Sequence, residues 1–190
     1  MDWTRVYEDI AGFALTTPSW LQAIADAGTD GMLFVFVVLF AMCWWRARRG
    51  PDRELALAIA GPAGVVCAYV VSEVVKTFVR EDWPCRGGIA TITACPHPDD
   101  WSFPSNHAVI AAGAAGALIL AWRAMAWVAL PLAVLIAFDR VFVGVHYPHD
   151  VAAGFLIGVV LAPLFTLLVV GAVTPMVRLA RTRLSLRRAG

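Results

Sequence analysis

A polar stretch between two long apolar runs carries Arg140, His146 and Asp150, at intervals of six and four residues. Each charged group in such a place is costly unless it has a partner or a task. Pro148 suits the first turn of a helix, so His146 and Asp150 can lie on one face at its start. The carboxylate can then fix one ring nitrogen of the imidazole and leave the other free for a proton or a phosphorus atom. Arg140 would add a bidentate grip on an anion.

A second group of polar residues, Pro104, Ser105, Asn106 and His107, stands at the start of another apolar run. Proline suits a helix start, Ser105 can cap the helix, and the free amides of the first turn can bind an anion beside the histidine. On its own this pattern is weak, because capping serines and single histidines are common. Its position on the same predicted membrane face as Lys76 and the first stretch favours one shared anion site.

The composition is that of an integral membrane protein. The chain has 190 residues, of which 60% are hydrophobic and 15% charged, and its mean hydropathy is +0.72. The hydrophobic share lies well above that of an ordinary soluble domain, and the charged share lies below it. A single membrane domain is therefore expected over residues 1–190. No cleavable signal peptide is expected, because the first residues lack a basic region followed at once by an apolar core.

The hydrophobic runs predict an all-α polytopic membrane bundle with five transmembrane helices. Residues 3–26 have apolar positions at helical spacing and a polar face, which predicts an amphipathic helix lying in the membrane interface. A poor first transmembrane helix broken near Pro18 is the alternative. The transmembrane core is expected over residues 30–172 and a basic cytoplasmic tail over residues 173–190. The five expected spans cover approximately residues 31–45, 54–79, 105–122, 125–141 and 147–172.

The positions of the basic residues predict an orientation. Ten of the 15 basic residues fall on one side of the five-span arrangement, which the positive-inside rule makes cytoplasmic. Those ten are Arg46, Arg48, Arg49, Arg53, Arg123, Arg178, Arg181, Arg183, Arg187 and Arg188. Lys76, Arg80, Arg86 and Arg140 instead gather on the other side with the histidines. Cations on the side that the rule disfavours argue for an anionic ligand, with a charged solvated loop as the alternative.

Three segments of the chain resemble the motifs of the type 2 phosphatidic acid phosphatase family. The family pattern is Lys-x6-Arg-Pro, then Pro-Ser-Gly-His, then Ser-Arg-x5-His-x3-Asp. The matching residues are Lys76 with Pro84, then Pro104, Ser105, Asn106 and His107, then Arg140, His146 and Asp150. The resemblance extends over most of the chain, from about residue 30 to residue 172, and the third motif is the most specific of the three.

The resemblance implies a phosphatase mechanism. His146 would be the nucleophile that forms a phosphohistidine, oriented by Asp150, and His107 would be the general acid that protonates the leaving oxygen. The groups that hold the phosphoryl oxygens would be Lys76, Ser105, the amide of Asn106 and Arg140. That chemistry requires no metal and no other cofactor, since phosphoryl transfer mainly needs positioned positive charge and an in-line nucleophile.

The chain departs from the family pattern at three positions. Trp83 stands where the family has arginine, so one phosphate clamp is absent at that position. Arg80 is the expected replacement, because it lies one helical turn beyond Lys76, and Arg86 is the alternative. Trp83 itself is expected at the membrane surface beside a prenyl chain. The other two departures are Asn106 in place of glycine, which would crowd the loop, and Asp139 in place of serine.

Local pairings can also be predicted. Glu73 lies one helical turn before Lys76 and is expected to pair with it. Cys85 and Cys95 share a loop on the side where oxidation is permitted, so a disulfide between them is expected; the other two cysteines lie within spans. A metal cluster of His146, His149 and Asp150 is a competing interpretation, disfavoured by the lack of a fourth ligand and by the nearby arginines. His149 is otherwise expected to be an interfacial bystander.

The function expected from the resemblance is hydrolysis of a membrane lipid diphosphate or phosphate. Small size, a short central loop and an amphipathic start resemble the bacterial polyprenyl diphosphate phosphatases, which favours conversion of undecaprenyl or decaprenyl diphosphate to the monophosphate for recycling of the cell-wall carrier lipid. The alternatives are phosphatases acting on phosphatidic acid, phosphatidylglycerophosphate or a prenyl-linked sugar phosphate, and a lipid-phosphate binding protein with little turnover. The expected partners are a lipid phosphate and the bilayer, with no nucleic acid. The expected location is the bacterial plasma membrane, with the site on the extracytoplasmic face.

Overall fold

The computed structural model describes residues 3–189, so both ends of the expected domain, Met1, Asp2 and Gly190, lie outside the described residues. The regular secondary structure of the described residues consists of six α-helices and two short 3₁₀ turns, with no strand. The helices are α1 (Trp3–Thr16), α2 (Ser19–Ala47), α3 (Asp52–Val79), α4 (Asn106–Ala121), α5 (Ala126–Phe142) and α6 (Pro148–Ala189). The 3₁₀ turns are Pro84–Gly87 and Arg123–Met125. The all-α prediction is confirmed.

Each of the five expected spans corresponds to one of the helices α2 to α6. Four of these, all but α4, are long and apolar enough to cross a membrane. Helix α4 is apolar but has only 16 residues, or about 24 Å at the usual rise per residue. It is enclosed by α3, α5 and α6 and buries most of its alanines, so protein rather than lipid surrounds it. Its length is therefore not set by the thickness of the hydrocarbon core. The chain is a multi-pass membrane protein.

Small residues bring α3, α4 and α6 into close contact. Gly64 of α3 faces the backbone of Ala162 and leaves no room for a Cβ atom. Gly158 of α6 faces the backbone of Val109 in the same way. Close approach of backbones through glycine is the usual way in which membrane helices pack, because lipid offers no hydrophobic incentive for association. The contact of Gly158 with Val109 lies near the end of α4 that carries the polar residues and holds that end against α6.

The expected interfacial helix over residues 3–26 is shorter in the structure. Helix α1 ends at Thr16 and α2 begins at Ser19, so residues 19–26 extend the first long helix instead of completing the interfacial one. Pro18 explains the boundary. It has no N–H to continue α1, it disfavours the helical conformation in the preceding residue, and its own φ of −57° suits the position before a helix start.

Helix α1 is fastened to the loop that joins α5 and α6. The buried Tyr7 hydroxyl donates to the Gly144 carbonyl at 2.8 Å, and the Tyr7 ring meets Tyr147 edge to face at 5.3 Å between centroids. Burial raises the pKa of Tyr7 to about 12, so the hydroxyl keeps its proton and its donor role. Gly144 has a φ of +88°, which side chains other than glycine rarely adopt, and this permits the tight turn before His146.

The expected tail over residues 173–190 is helical as far as the structure describes it, because α6 runs without a break to Ala189. Arg181 donates to the Gly50 carbonyl at 2.7 Å and to Asp52 at 2.8 Å. Gly50 and Asp52 lie at the turn between α2 and α3. The end of α6 therefore packs against that turn, and hydropathy alone does not predict this contact.

Candidate active site

Five parts of the chain meet at the end of the bundle opposite the turn on which Arg181 docks. They are the end of α3, the loop over residues 80–105, the start of α4, the end of α5, and the turn over residues 143–147 with the start of α6. The three sequence motifs lie in these segments. The long polar loop packs against these helix ends and buries Trp83 and Ser102 there.

His146 and Asp150 form the pair that their spacing predicted. Nδ1 of His146 lies 3.2 Å from Oδ2 of Asp150, and the same oxygen accepts a hydrogen bond from the Tyr147 amide at 3.0 Å. Both side chains are fully buried. Burial, together with the positive charges of Arg140 and Lys76, holds the pKa of His146 well below its ordinary value. The ring is therefore neutral and can offer its Nε2 lone pair.

Two of the buried donors near this ring have no hydrogen-bond partner among the described residues. They are the Arg140 guanidinium, through Nε and Nη1, and the Ser105 hydroxyl. Arg140 is 5% exposed and Ser105 is completely buried. Buried polar groups are nearly always paired in folded proteins, because an unpaired one costs about 1 to 3 kcal/mol. An unpaired guanidinium edge in particular matches the geometry of a carboxylate or phosphate.

Ser105 occupies the position before α4, but its side chain does not make the expected capping bond. Its amide instead donates to the Asp150 carbonyl at 3.1 Å. Gly154 lets α6 approach so closely that a Cβ atom there would lie 2.5 Å from the Ser105 carbonyl oxygen. The amides of the first turn of α4, beginning with Asn106, lack intrahelical acceptors and can bind an anion. The Ser105 hydroxyl is left free to join them.

The expected pair of Glu73 with Lys76 is wrong. Glu73 instead accepts a hydrogen bond from the side-chain amide of Asn106, whose oxygen accepts from Ser72 at 2.7 Å. Lys76, buried at the end of α3, lies 3.2 Å from Oδ1 of Asp100. The pair does not form because the Asn106 side chain lies between α3 and α4 and binds Glu73 across the two helices. Asn106 thus docks the two helices together rather than crowding the loop.

Trp83 was expected at the membrane surface, and that expectation is wrong. Its side chain is buried, with its ring 4.7 Å from the His146 ring between centroids. Its indole Nε1 donates to the Asp100 carbonyl at 2.9 Å, and the Lys76 ammonium lies 5.4 Å from the ring centroid. The indole therefore forms a wall of the site, in the place where the family pattern has a charged side chain.

Arg80 lies at the end of α3 rather than on the helical face shared with Lys76. The helix ends at Val79, and Arg80 takes a left-handed backbone conformation with a φ of 51°. Its Nε donates to the Thr77 carbonyl at 3.0 Å, and the residue is exposed. Arg80 therefore does not lie beside Lys76 as helical spacing predicted, because the helix stops one residue before it.

Arg86 holds the loop together. It donates to Asp82 at 2.6 Å and to three backbone carbonyls at 2.8 to 3.0 Å. Those carbonyls belong to His97, Pro98 and Asp100. The predicted disulfide between Cys85 and Cys95 is confirmed, with Cα atoms 5.8 Å apart. The guanidinium and the disulfide together shape the loop that carries Trp83 and Asp100 over the site.

His149 is not the bystander that was expected. Its Nε2 lies 2.8 Å from Glu81 Oε1 and 3.2 Å from Asp150 Oδ1. Asp150 thus stands between two imidazoles, one at each oxygen. Three ligand atoms, from Glu81, His149 and Asp150, lie within 4.8 Å of one another. A structural zinc site needs four ligands, one more than this group of described residues offers. The direct contact of His149 with Glu81 is that of a hydrogen-bonded pair.

His107 lies on the first turn of α4 and contacts a residue that was not among the candidate site residues. Its Nε2 is 2.8 Å from Oδ1 of Asp30 on α2. The available signal was a carboxylate inside an apolar run, one helical turn after Asp26, because such residues are expensive in a membrane and are usually functional. No comparable signal marks Trp83 or Asp100, which reach the site through an irregular loop.

Two proteins of named function are similar in sequence to this chain. An undecaprenyl-diphosphatase of Sulfolobus acidocaldarius is 39% identical over 94 residues, which are 49% of this chain and 46% of the relative. A decaprenylphosphoryl-5-phosphoribose phosphatase of Mycobacterium tuberculosis is 37% identical over 112 residues, which are 57% of this chain and 58% of the relative. The matched part therefore spans about half the length of these two relatives.

A solved structure shares the fold. It is the crystal structure of a transmembrane PAP2 type phosphatidylglycerolphosphate phosphatase from Bacillus subtilis, with a TM-score of 0.61 and 22% identity over 85% of this chain and 83% of the other. The model of the PAP2 superfamily matches residues 54–173, a range that contains all three motifs. Because this match covers more than half of the chain and includes the residues that meet at the end of the bundle, the chain belongs to the PAP2 superfamily.

Proposed function

We propose that the protein hydrolyses a membrane lipid diphosphate or phosphate through a phosphohistidine on His146. The observation that carries the proposal is the group of unpaired buried donors, Arg140 and Ser105, next to a neutral histidine. A tetrahedral phosphoryl group offers several oxygens in different directions and can satisfy both donors and the α4 amides at once. Lys76 supplies a further positive charge.

The chemistry divides into two balanced steps. In the first, Nε2 of His146 attacks phosphorus, the bond from phosphorus to the leaving oxygen breaks, and His107 gives its proton to that oxygen. In the second, a water molecule loses a proton to His107 and attacks the phosphohistidine, which releases phosphate and restores the free imidazole. Asp150 accepts the Nδ1 hydrogen throughout and stabilises the charge that the ring gains. Neither step requires a metal ion.

The proposed substrate is undecaprenyl or decaprenyl diphosphate, converted to its monophosphate. The names of the relatives support a polyprenyl-linked phosphate, and the location of the site at the end of a membrane bundle supports a lipid head group. A prenyl-linked sugar phosphate is the second candidate, because one relative is named a decaprenylphosphoryl-5-phosphoribose phosphatase. The proposed location is a bacterial plasma membrane with the site on the extracytoplasmic face, which the disulfide-bonded loop and the basic opposite end support.

Phosphate release by the purified protein in detergent tests the proposal. Undecaprenyl diphosphate, decaprenylphosphoryl-5-phosphoribose with a terminal phosphate, and phosphatidic acid would be compared, each with and without EDTA. We expect fastest release from the diphosphate, no effect of the chelator, and no release by the His146→Ala variant. Binding of a polyprenyl diphosphate without any release above that of the variant would instead identify a lipid-phosphate binding protein.

A further inference from the structure

We infer that Asp30 is a positioning residue for His107, the general acid of the proposed reaction, and holds its imidazole through Nε2. The inference rests on the proposed function and deepens it. Asp30 lies on α2 and His107 on the first turn of α4, with 2.8 Å between Oδ1 and Nε2. Carboxylates hydrogen-bonded to catalytic imidazoles fix the tautomer and the direction of the ring.

The two imidazoles of the site are held through opposite nitrogens. Asp150 takes Nδ1 of His146 and leaves Nε2 for phosphorus, whereas Asp30 takes Nε2 of His107 and leaves Nδ1 to carry the proton that moves to the leaving oxygen. A nucleophile and an acid need this difference, because each must present one free nitrogen to a different atom of the substrate. The carboxylates therefore determine which edge of each ring is available.

The position of Asp30 is set by other contacts of α2. One residue earlier, the buried Thr29 hydroxyl donates to Asp139 of α5 at 2.7 Å. One turn earlier, Asp26 accepts a hydrogen bond from Thr93 in the polar loop. These contacts fix the rotation and height of α2 against its neighbours. Asp30 is thus held in register with His107 although its own side chain is 82% exposed.

The charges around His107 explain why a carboxylate is needed. Lys76 at the end of α3 and Arg140 on α5 both act on the ring as positive charges, and neutral His146 adds none. An acid that must carry a proton before it donates one is disfavoured among cations. Asp30 is the negative charge that contacts the ring directly, so it favours the protonated ring as well as its orientation.

The test compares substrates that differ in leaving group. The variants are Asp30→Asn, which weakens the bond and removes the charge, and Asp30→Glu, which can keep both. The control is Asp26→Asn, on the same helix one turn earlier, where an asparagine oxygen can still accept the hydrogen bond from Thr93 and only the charge is lost. The substrates are a polyprenyl diphosphate, phosphatidic acid, whose leaving group is an alkoxide, and p-nitrophenyl phosphate, whose leaving group needs little protonation.

We expect Asp30→Asn to lower kcat on phosphatidic acid by at least about 30-fold and on p-nitrophenyl phosphate by less than about threefold, since general acid catalysis typically contributes 10²- to 10⁴-fold. Asp30→Glu should retain most activity on both, and Asp26→Asn should leave the ratio of the two rates unchanged. Adding Asp30→Asn to His107→Ala should cause no further loss, because the residue acts through the ring.

Equal losses on both substrates, or no loss on either, would overturn the role of Asp30. Wild-type protein that releases no phosphate from any substrate would instead refute the proposed function, so the two failures are distinguishable. Thermal unfolding of each variant in detergent separates a folding defect from a chemical one. If Asp30→Asn does not fold, Asp30→Ser is compared with Asp30→Glu instead. An unchanged ratio of the rates on the two substrates in the serine variant would then also overturn the role of Asp30.

Discussion

At the scale of single residues, the two histidines of the candidate site lie in different environments, which suit the different tasks proposed for them. His146 is fully buried, neutral and held by a buried carboxylate, whereas His107 is partly exposed and held by an exposed one. A buried neutral ring suits attack on phosphorus. A ring nearer to solvent suits exchange of a proton with a leaving group and then with water.

The two tasks can be separated by mutation. His146→Ala should abolish turnover of every substrate, because no covalent intermediate can form. His107→Ala should retain measurable activity on an aryl phosphate, which leaves without a proton, and lose about 10²-fold or more on a lipid alkoxide. Initial rates on p-nitrophenyl phosphate and phosphatidic acid provide the measurement. Equal residual activity of the two variants on the aryl phosphate would show that the roles are assigned wrongly.

The low pKa of His146 predicts how activity depends on pH. In the proposed reaction the unprotonated ring attacks phosphorus, so the loss of activity on acidification should begin only when the pH falls through the pKa of His146 in the folded protein, which lies well below its usual value near 6.5. The rate kcat/KM should therefore persist into mildly acidic solution. Lys76→Met removes one of the positive charges that lower this pKa, so the midpoint of the acidic limb should move to higher pH, whatever the change in maximal rate. An unchanged midpoint in that variant would contradict the electrostatic cause.

In the proposed reaction, Asp100 would compete with the substrate for Lys76. Its Oδ1 lies 3.2 Å from the ammonium, and its side chain is about half exposed. Asp100→Asn keeps an oxygen that can accept from the Trp101 amide but loses the charge. We expect KM for a polyprenyl diphosphate to fall about threefold, a modest change because partly exposed ion pairs are weak. Asp99→Asn is the matched control, and equal KM values for the two variants would argue against competition.

At the scale of elements, the sequence predicted what depends on local spacing. Helical periodicity and bilayer length identified the spanning segments, and the interval of four residues identified His146 with Asp150. The sequence did not predict the contact of Trp83 with His146, because that contact joins an irregular loop to a turn far along the chain. The same limit applies to Asp30, whose partner lies on a different helix, and to Arg80, whose left-handed backbone at the end of the helix takes it off the face of Lys76.

The position of Trp83 in the loop between α3 and α4 predicts what would follow if the arginine of the family motif were restored there. Trp83→Arg should lower both activity and thermal stability, because it places a third cation near Lys76 and Arg140 in a buried space that an indole fills. Trp83→Phe, which keeps an aromatic wall and loses only the bond to Asp100, is the control and should be milder. Arg80→Ala should change kcat/KM by less than about twofold, as surface substitutions usually do. Higher activity of Trp83→Arg than of wild type would mean that the motif arginine can still act as a phosphate clamp here.

At the scale of the whole molecule, the bundle has two different ends. One end carries the candidate site, the disulfide and the polar loop. The other end joins α2 to α3 and α4 to α5 and receives the last turns of α6. Ion pairs bind that second end together, with Arg46 on Glu54 at 3.1 Å and Arg181 on Asp52 at 2.8 Å.

This asymmetry predicts the orientation of the protein in the membrane. Arginines concentrate at the end without the site, and positive residues near spans are retained in the cytoplasm. A reporter fused after Gly190 should therefore be cytoplasmic. A reporter inserted after Gly88, where the loop has open space around it, should be exported. Alkaline phosphatase, which is active only after export, and green fluorescent protein, which fluoresces only inside, give opposite signals at the two positions. The same signal at both would be incompatible with five crossings, since an odd number of helices separates the α3–α4 loop from the end of α6.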